Sequence, residues 1–214
     1  MLTPYQLNKL QLIATPWPNE KPLLKPSTSK WFNQQHVAVF KQLLAPHRTG
    51  LYLELGTWTG MGSTKFVADN YPEVTMICID TFEGSEEHHR IEAYKSIAAN
   101  LWDHFCANRW HSRKRLFPIR TDTISGLRAV WNIGLKPDVI YIDAAHDAES
   151  VYQDLRMTLE CFPEAVIMGD DFLLEGEGHP GVRLGIEKAI AEGLVAPHEL
   201  KHNHRVWYLN RNVK

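Results

Sequence analysis

Residues 51–63 read Leu-Tyr-Leu-Glu-Leu-Gly-Thr-Trp-Thr-Gly-Met-Gly-Ser, and this stretch decides the fold of the chain. Its first five residues, Leu51–Leu55, are apolar apart from one glutamate, which is typical of a strand that is buried on both faces of a parallel sheet. The glycines that follow favour a sharp turn, and the residues from Ser63 onward have the spacing of a helix. The stretch therefore predicts a strand, a glycine loop and a helix in direct succession.

Short apolar runs continue to alternate with amphipathic runs of helical length along the chain. Strands are predicted at Leu51–Gly56, Val74–Asp80, Leu116–Arg120, Val139–Asp143 and Ala165–Asp170, with helices at 63–70, 87–108, 125–133, 148–161 and 181–191. Two final runs, His198–His202 and Arg205–Leu209, predict an antiparallel hairpin. The alternation of strands and helices predicts the fold class α/β. Because strand–helix–strand connections are right-handed, the expected architecture is a Rossmann-like doubly wound sheet. That sheet is mostly parallel, has the antiparallel hairpin at its C-terminal end and carries helices on both faces.

The beginning of the chain differs in pattern from the rest. Helices are predicted at 5–14 and 32–44, with a loop that contains four prolines between them. We therefore predict an N-terminal helical extension over residues 1–45 and a single globular unit over residues 46–214, a length that suits one core. The residues leave open whether the extension shapes a ligand pocket or an interface of a homo-oligomer.

The composition excludes several classes of protein. The chain has 23 basic and 25 acidic side chains in 214 residues, so its net charge of −2 gives no global reason to bind nucleic acid or an anionic membrane. No apolar run approaches the roughly 20 residues of a membrane helix, and no leader pattern opens the chain. Three cysteines in apolar contexts are typical of a reducing compartment. We therefore expect a cytoplasmic protein without nucleic-acid or membrane partners.

The glycine loop has the position of a ligand-binding loop. Between a strand and a helix, glycines let the backbone approach a ligand, and the first N–H groups of the helix attract an anion. The loop is not a dinucleotide fingerprint, because Trp58 stands where that pattern needs its second glycine. A glycine-rich connection without a ligand is the alternative interpretation.

Glu54, Gly56, Gly60 and Ser63 resemble motif I of the class I S-adenosylmethionine (SAM)-dependent methyltransferases. The resemblance implies that the loop, including Thr57, wraps the methionyl part of SAM.

Two further carboxylates fit the same cofactor. Asp80 ends the second predicted strand, where it can accept hydrogen bonds from a ribose diol. In similar methyltransferases an acidic residue after the third strand lies near the adenine amino group, which makes Asp122 a candidate. Turn formation at Asp80 and helix capping at Asp122 are the competing interpretations.

Three carboxylates end the fourth and fifth predicted strands: Asp143, Asp170 and Asp171. Open α/β sheets bind ligands beyond the carboxyl ends of their strands, so these side chains are expected at one crevice. Together they would repel and raise one another's pKa unless a cation neutralised them, and oxygen ligands favour Mg²⁺, Mn²⁺ or Ca²⁺. Each aspartate capping a helix or turn is the alternative. The polar residues 175–181 that follow are either a lid or a plain connection.

The segment from Asp143 through His146 to Asp154, and then Gly169–Phe172, looks like the metal-dependent sugar O-methyltransferases of the macrocin type. The resemblance extends from about Leu51 to Ile190. It implies that Asp143, Asp170 and Asp171 bind a divalent metal, with Mg²⁺ the first choice, and that His146 is the general base.

An independent argument supports His146. An imidazole three residues beyond a metal carboxylate can reach the same crevice, and its ordinary pKa suits removal of an alcohol proton near neutral pH. A histidine that only begins a helix is the alternative, and Asp143 is then the base.

The predicted function is SAM-dependent O-methyl transfer to a hydroxyl of a small molecule, namely a sugar, a polyol or a phenol, assisted by a divalent metal. The rival hypothesis is a SAM- or nucleotide-binding protein of the same fold without metal-dependent methyl transfer. A third, an NAD-dependent oxidoreductase, lacks its glycine fingerprint. The basic residues of Arg109–Arg115 are interpreted as a solvated connection in preference to an RNA-binding patch.

Overall fold

A computed structural model of the protein describes residues 2–25, 31–172, 179–203 and 205–211. Its strands are β1 (Leu51–Leu55), β2 (Thr75–Asp80), β3 (Leu116–Arg120), β4 (Val139–Ile142), β5 (Val166–Gly169), β6 (Leu200–His202) and β7 (Trp207–Leu209). Its α-helices are α1 (Pro4–Ile13), α2 (Gln34–Leu44), α3 (Ser63–Asn70), α4 (Glu86–Arg90), α5 (Glu92–Ala98), α6 (Leu101–Arg109), α7 (Thr123–Asn132), α8 (Ala148–Cys161) and α9 (Pro180–Ala191). Most of the segment 175–181 lies outside the described residues.

The strands form one sheet in the order β3-β2-β1-β4-β5-β7-β6. Strands β1 to β5 are parallel, whereas β7 pairs antiparallel with both β5 and β6. This confirms the predicted doubly wound sheet with its C-terminal hairpin. The strand order reverses at β1 and β4, so the chain leaves these two neighbours in opposite directions and opens a crevice at their carboxyl ends.

Side chains of β1 alternate between two hydrophobic layers, as the pleat of a strand requires. Leu53 packs in one layer with Leu10 of α1 and Leu155 of α8. Tyr52 packs in the other layer with Phe40 of α2 and Phe105 of α6. Helices therefore cover both faces of the sheet, and the two N-terminal helices pack on opposite faces of it.

The predicted helix over 87–108 is wrong in its continuity, because the chain forms α4, α5 and α6 instead. The backbone leaves the helical region at Ile91, with ψ of 116°, and again at Asn100, with φ of −132°. The Asn100 side chain donates to the Ser96 carbonyl and so closes the end of α5. The other predicted elements begin and end within about two residues of the observed ones.

The basic segment 109–115 is also only partly the solvated connection that the sequence predicts. Arg109 is 3% exposed, and Asp69 lies 3.7 Å from its Nη1. The Arg115 guanidinium donates to the Val74 and Tyr71 carbonyls, at 3.1 and 3.3 Å. Arg109 therefore pairs α6 with α3, and Arg115 ties the start of β3 to the segment between α3 and β2.

No helix among the described residues is long and apolar enough to cross a membrane.

Candidate active site

A cavity of about 690 Å³ lies at the carboxyl ends of β1 and β4. Gly56, Thr57, Ser63, Asp80 and Asp122 line it on one side, as the sequence predicts. Asp143, His146, Asp170 and Asp171 line the opposite side. Glu54 and Gly60 are not among the lining residues. The predicted residues thus meet at one cavity, apart from these two, which lie behind its wall.

The glycine loop needs its glycines for two different reasons. Gly56 has φ of +78°, and a Cβ there would lie 2.1 Å from the Asp143 carbonyl oxygen, so no side chain fits. Gly60 has φ of +69°, and its Cβ would meet Arg109 Cγ at 2.8 Å. Gly56 therefore lets the loop pass directly over β4, whereas Gly60 lets it pack on α6.

Glu54 joins the strand to the helix behind the loop. It is fully buried, and its Oε1 accepts hydrogen bonds from the hydroxyls of Ser63 (2.6 Å) and Thr64 (3.0 Å). Burial raises the pKa of Glu54 to about 7, although these hydrogen bonds oppose the shift. Glu54 thus anchors the start of α3, and it uses the Ser63 hydroxyl to do so.

Asp80 holds the glycine loop by accepting backbone hydrogen bonds. Its Oδ2 accepts from the N–H groups of Thr57 (2.7 Å) and Trp58 (3.1 Å), and its Oδ1 accepts from Phe82 (2.7 Å). Asp80 therefore does stabilise a turn, which was the alternative to a ribose contact. It does not exclude the ribose contact, because Oδ1 accepts only one of these hydrogen bonds and has a second lone pair, and Asp80 also lines the cavity.

Asp122 caps α7, since its Oδ1 accepts from the Ser125 N–H at 2.8 Å. This hydrogen bond lowers the pKa of Asp122 below its ordinary value. Its side chain is exposed at the mouth of the cavity. Capping is thus established by the geometry, and contact with an adenine stays a prediction.

The opposite side of the cavity is acidic. Burial raises the pKa of Asp143 well above its ordinary range, and the neighbouring charges of Asp170 and Asp171 raise it further. The Asp143 side chain is 31% exposed. No hydrogen bond reaches its carboxylate from the part of the chain that the structure describes. The three predicted carboxylates do converge. The expected rise in pKa is found at Asp143, whereas hydrogen bonds hold the pKa of Asp170 below its ordinary value against the effect of burial.

Asp171 has φ of +56°, in the left-handed region that few residues other than glycine and asparagine adopt. In a regular strand, consecutive side chains would point to opposite faces of the sheet. The left-handed turn directly after β5 lets both Asp170 and Asp171 border the same cavity.

Two cationic or hydrogen-donating residues that sequence analysis missed contact these carboxylates. His36 of α2 lies with its Nε2 2.9 and 3.0 Å from the two oxygens of Asp170. Arg205, before β7, donates from Nη2 to Asp171 Oδ1, and its Nε lies 3.5 Å from Asp170 Oδ1. Both come from segments without a recognisable motif, so no sequence signal identified them.

His146 faces two of the carboxylates. Its Nε2 lies 3.2 Å from Asp171 Oδ2 and 3.9 Å from Asp143 Oδ1, yet within the described residues it makes no hydrogen bond of acceptable geometry. Gly181 lets α9 approach the loop that carries His146, because a Cβ there would lie 2.2 Å from the His146 carbonyl oxygen.

A second histidine, also missed, lies beside the first. The rings of His146 and His179 are 4.1 Å apart between centroids. One ligand atom from each of His146, Asp171 and His179 lies within 4.8 Å of the others.

These donors fit a divalent cation. Asp143, Asp170 and Asp171 border one cavity, burial and the two neighbouring carboxylates raise the pKa of Asp143, and within the described residues His146 Nε2 is buried without a hydrogen bond. A divalent cation held by these carboxylates would offset their mutual repulsion. Oxygen donors alone favour Mg²⁺, and the nearby imidazoles also suit Mn²⁺.

Aromatic side chains also line the cavity. Trp58 of the loop stacks on His88 of α4, with 3.8 Å between the ring centroids. The ring centroid of Trp31 lies 6.2 Å from that of Trp58 and 5.4 Å from that of Tyr94. Trp31 belongs to the N-terminal extension, which therefore reaches the cavity. Such planar surfaces bind flat or ring-shaped ligands.

The sheet order, the glycine loop after β1 and the acidic end of β2 are those expected of a class I SAM-dependent methyltransferase. A family model described as a methyltransferase domain matches residues 53–172, more than half of the chain, and the chain belongs to this family. A comparison with curated proteins found no match.

Solved structures of methyltransferases share the fold. CalS11, a TDP-rhamnose 3'-O-methyltransferase of calicheamicin biosynthesis, is 18% identical over 100% of this chain and 97% of its own, with a TM-score of 0.52. MycE of the mycinamycin pathway, solved with Mg, SAH and mycinamycin VI, is 14% identical over 86% of this chain and 50% of its own, with a TM-score of 0.55. An O-methyltransferase from Bacillus cereus in complex with SAH is 17% identical, covers 99% and 92% of the two chains and has a TM-score of 0.53.

Proposed function

We propose that the protein transfers a methyl group from SAM to a hydroxyl of a small molecule, such as a sugar, a polyol or a phenol, with the help of a divalent metal. The observation that carries this proposal is the single cavity with two unlike sides. A glycine loop with Asp80 faces a cluster of three carboxylates with His146 across it. The names of the structural neighbours, which include sugar and other O-methyltransferases, support the same choice.

On the loop side, the chain binds and orients the cofactor. Asp80 Oδ1 accepts a hydrogen bond from a ribose hydroxyl while the carboxylate holds the loop, and Gly56 and Thr57 contact the methionyl part. Asp122 accepts a hydrogen bond from the adenine amino group. Glu54, Gly60 and Ser63 keep the loop in the shape that these contacts need. When bound, SAM supplies an activated methyl group, so alignment is the main requirement on the protein.

On the acidic side, the chain binds the acceptor and removes its proton. Asp143, Asp170 and Asp171 would hold the metal, whose charge lowers the pKa of an acceptor hydroxyl. The proton goes to His146 Nε2, which already faces Asp143 and Asp171 and has no competing hydrogen bond there. If His146 turns away, Asp143 is the base.

The proposal also divides the chain. Residues 46–214 are the methyltransferase unit, and residues 1–45 are an extension that completes the cavity through Trp31. The balanced charge of −2 supports a small-molecule acceptor over a nucleic acid. A cytoplasmic location and a homo-oligomer built through the extension belong to the same proposal.

Binding and turnover test the proposal separately. SAH at about 100 times its Kd should stabilise the protein by about 2.7 kcal/mol, which a thermal-shift assay detects. Transfer of a labelled methyl group to a panel of sugars, polyols and catechols should stop with EDTA and return with Mg²⁺. Absence of an SAH shift contradicts SAM binding. Turnover that EDTA leaves unchanged contradicts the metal alone, and SAH binding with no turnover on any acceptor favours the rival binding protein.

A further inference from the structure

The N-terminal extension places one polar side chain deep in the protein. His36 lies on α2, is 0% exposed and is 134 residues away in sequence from its partner, Asp170. Its ring packs against Phe32, with 4.9 Å between the ring centroids. Because a buried polar ring needs hydrogen-bond partners, the contacts of His36 determine how it can be oriented.

These contacts fix the position of the imidazole proton. The Asn33 N–H donates to His36 Nδ1 at 3.1 Å, so Nδ1 acts as an acceptor in that contact. The proton of a neutral ring then lies on Nε2, which donates to the Asp170 carboxylate, 2.9 and 3.0 Å from its two oxygens. If the ring is protonated, Nδ1 donates instead to Asn33 Oδ1 at 3.0 Å, and Nε2 still donates to Asp170. Both states hold the carboxylate in the same way.

The hydrogen bond acts on a carboxylate that is itself buried. Asp170 is 7% exposed, and its Oδ1 also accepts from the Asp171 N–H at 2.8 Å. His36 therefore keeps the carboxylate plane fixed at the cavity wall, while Arg205 reaches it only at 3.5 Å.

We propose that His36 is a positioning residue for Asp170, so that helix α2 of the N-terminal extension forms part of the acidic half of the active site. This inference rests on the proposed metal-assisted function. Hydrogen-bond partners of metal ligands orient those ligands, and their loss typically weakens metal affinity about 10- to 100-fold. The extension therefore serves the chemistry as well as the shape of the cavity.

Three variants and two ligands test the proposal in the full chain. His36→Phe keeps the ring and removes the donor. His36→Gln offers an amide N–H to Asp170 and an oxygen to the Asn33 N–H, so it should restore the contact. Val39→Ala, a buried residue of the same helix, controls for general loosening of α2. Mn²⁺ affinity is measured by electron paramagnetic resonance with SAH present, and SAH affinity is measured by calorimetry.

We expect the Mn²⁺ Kd of His36→Phe to rise about 10- to 100-fold, while His36→Gln, Val39→Ala and every SAH affinity stay within about threefold of the wild type. Unchanged Mn²⁺ affinity in His36→Phe overturns the proposal for His36 alone. If His36→Phe and Val39→Ala lose Mn²⁺ affinity equally, the effect comes from the packing of α2, and this result also overturns the proposal. If the wild type binds SAH but not Mn²⁺, metal assistance and the role of His36 are both overturned, and the methyltransferase assignment stands.

Discussion

The two sides of the cavity differ in the hydrogen-bond donors that they supply to their carboxylates. On the loop side, Asp80 accepts three backbone N–H groups, all from residues within 23 positions of it. On the acidic side, Asp170 and Asp171 depend on the side chains of His36 and Arg205, which are 134 and 34 positions away from their respective partners. The loop side is thus built by local backbone geometry, and the acidic side is built by tertiary contacts.

This difference has an energetic consequence. Backbone donors are fixed once the loop folds, so the loop side is ready for its ligand without further compensation. Side-chain donors only partly neutralise the acidic side, because Asp143 remains repelled by its neighbours. The acidic side therefore stores an unfavourable charge that a cation can relieve, and functional sites often carry such a cost.

The largest expected effect breaks the loop side. In Gly56→Ala, the new Cβ would lie 2.1 Å from the Asp143 carbonyl oxygen, and the residue would also keep a φ of +78°. The loop must shift by an amount near 1 Å, which is enough to reduce methyl transfer about 100-fold. Gly134→Ala is the matched control, since Gly134 has φ of +75° with nothing within 4 Å of a Cβ.

Calorimetric SAH binding and the free energy of unfolding distinguish the two variants. Gly134→Ala should lose about 1 kcal/mol of stability from its left-handed backbone and keep its SAH affinity. Gly56→Ala should lose more stability and most of its SAH affinity. Equal SAH affinities in the two variants would contradict the close approach of the loop to β4.

The next effect contrasts one carboxylate from each side. Asp143→Asn removes a charge that burial disfavours and that Asp170 and Asp171 repel, so without metal its Tm should rise, although turnover is lost. Asp80→Asn replaces an acceptor of three N–H groups by an amide that accepts at only one oxygen. The free energy of unfolding of this variant should fall by about 1–3 kcal/mol, so its Tm should fall as well. Thermal unfolding in EDTA measures both, and shifts of the same sign would refute the contrast.

Sequence reasoning succeeded where local pattern determines structure. The apolar strands, the glycine loop and the acids that end the strands are local features, so the fold and the convergence of Asp80, Asp143 and Asp171 could be predicted. His36 and Arg205 could not, because only tertiary packing brings them to the cavity. The prediction of one continuous helix over 87–108 was wrong for a different reason. Hydrophobic periodicity does not register that the Asn100 side chain bonds to the backbone and ends a helix there.

The smallest expected effect separates capping from ligand contact on the loop side. Asp122 and Asp147 cap α7 and α8 in the same way, by accepting from Ser125 N–H at 2.8 Å and Ser150 N–H at 2.9 Å. Only Asp122 lines the cavity. Asp122→Ala and Asp147→Ala should therefore each cost about 1 kcal/mol of stability, the usual value of a helix cap.

SAH affinity then decides what Asp122 contributes beyond the cap. A hydrogen bond to the adenine amino group is worth about 1 kcal/mol, so Asp122→Ala should weaken SAH binding about fivefold, and Asp147→Ala should not. Sinefungin keeps the same adenine and should show the same ratio. If both variants bind SAH as the wild type does, Asp122 is a helix cap only, and the adenine must be recognised by backbone groups of the loop side. Because those groups belong to the same preformed backbone that holds Asp80, that outcome would sharpen the contrast with the acidic side.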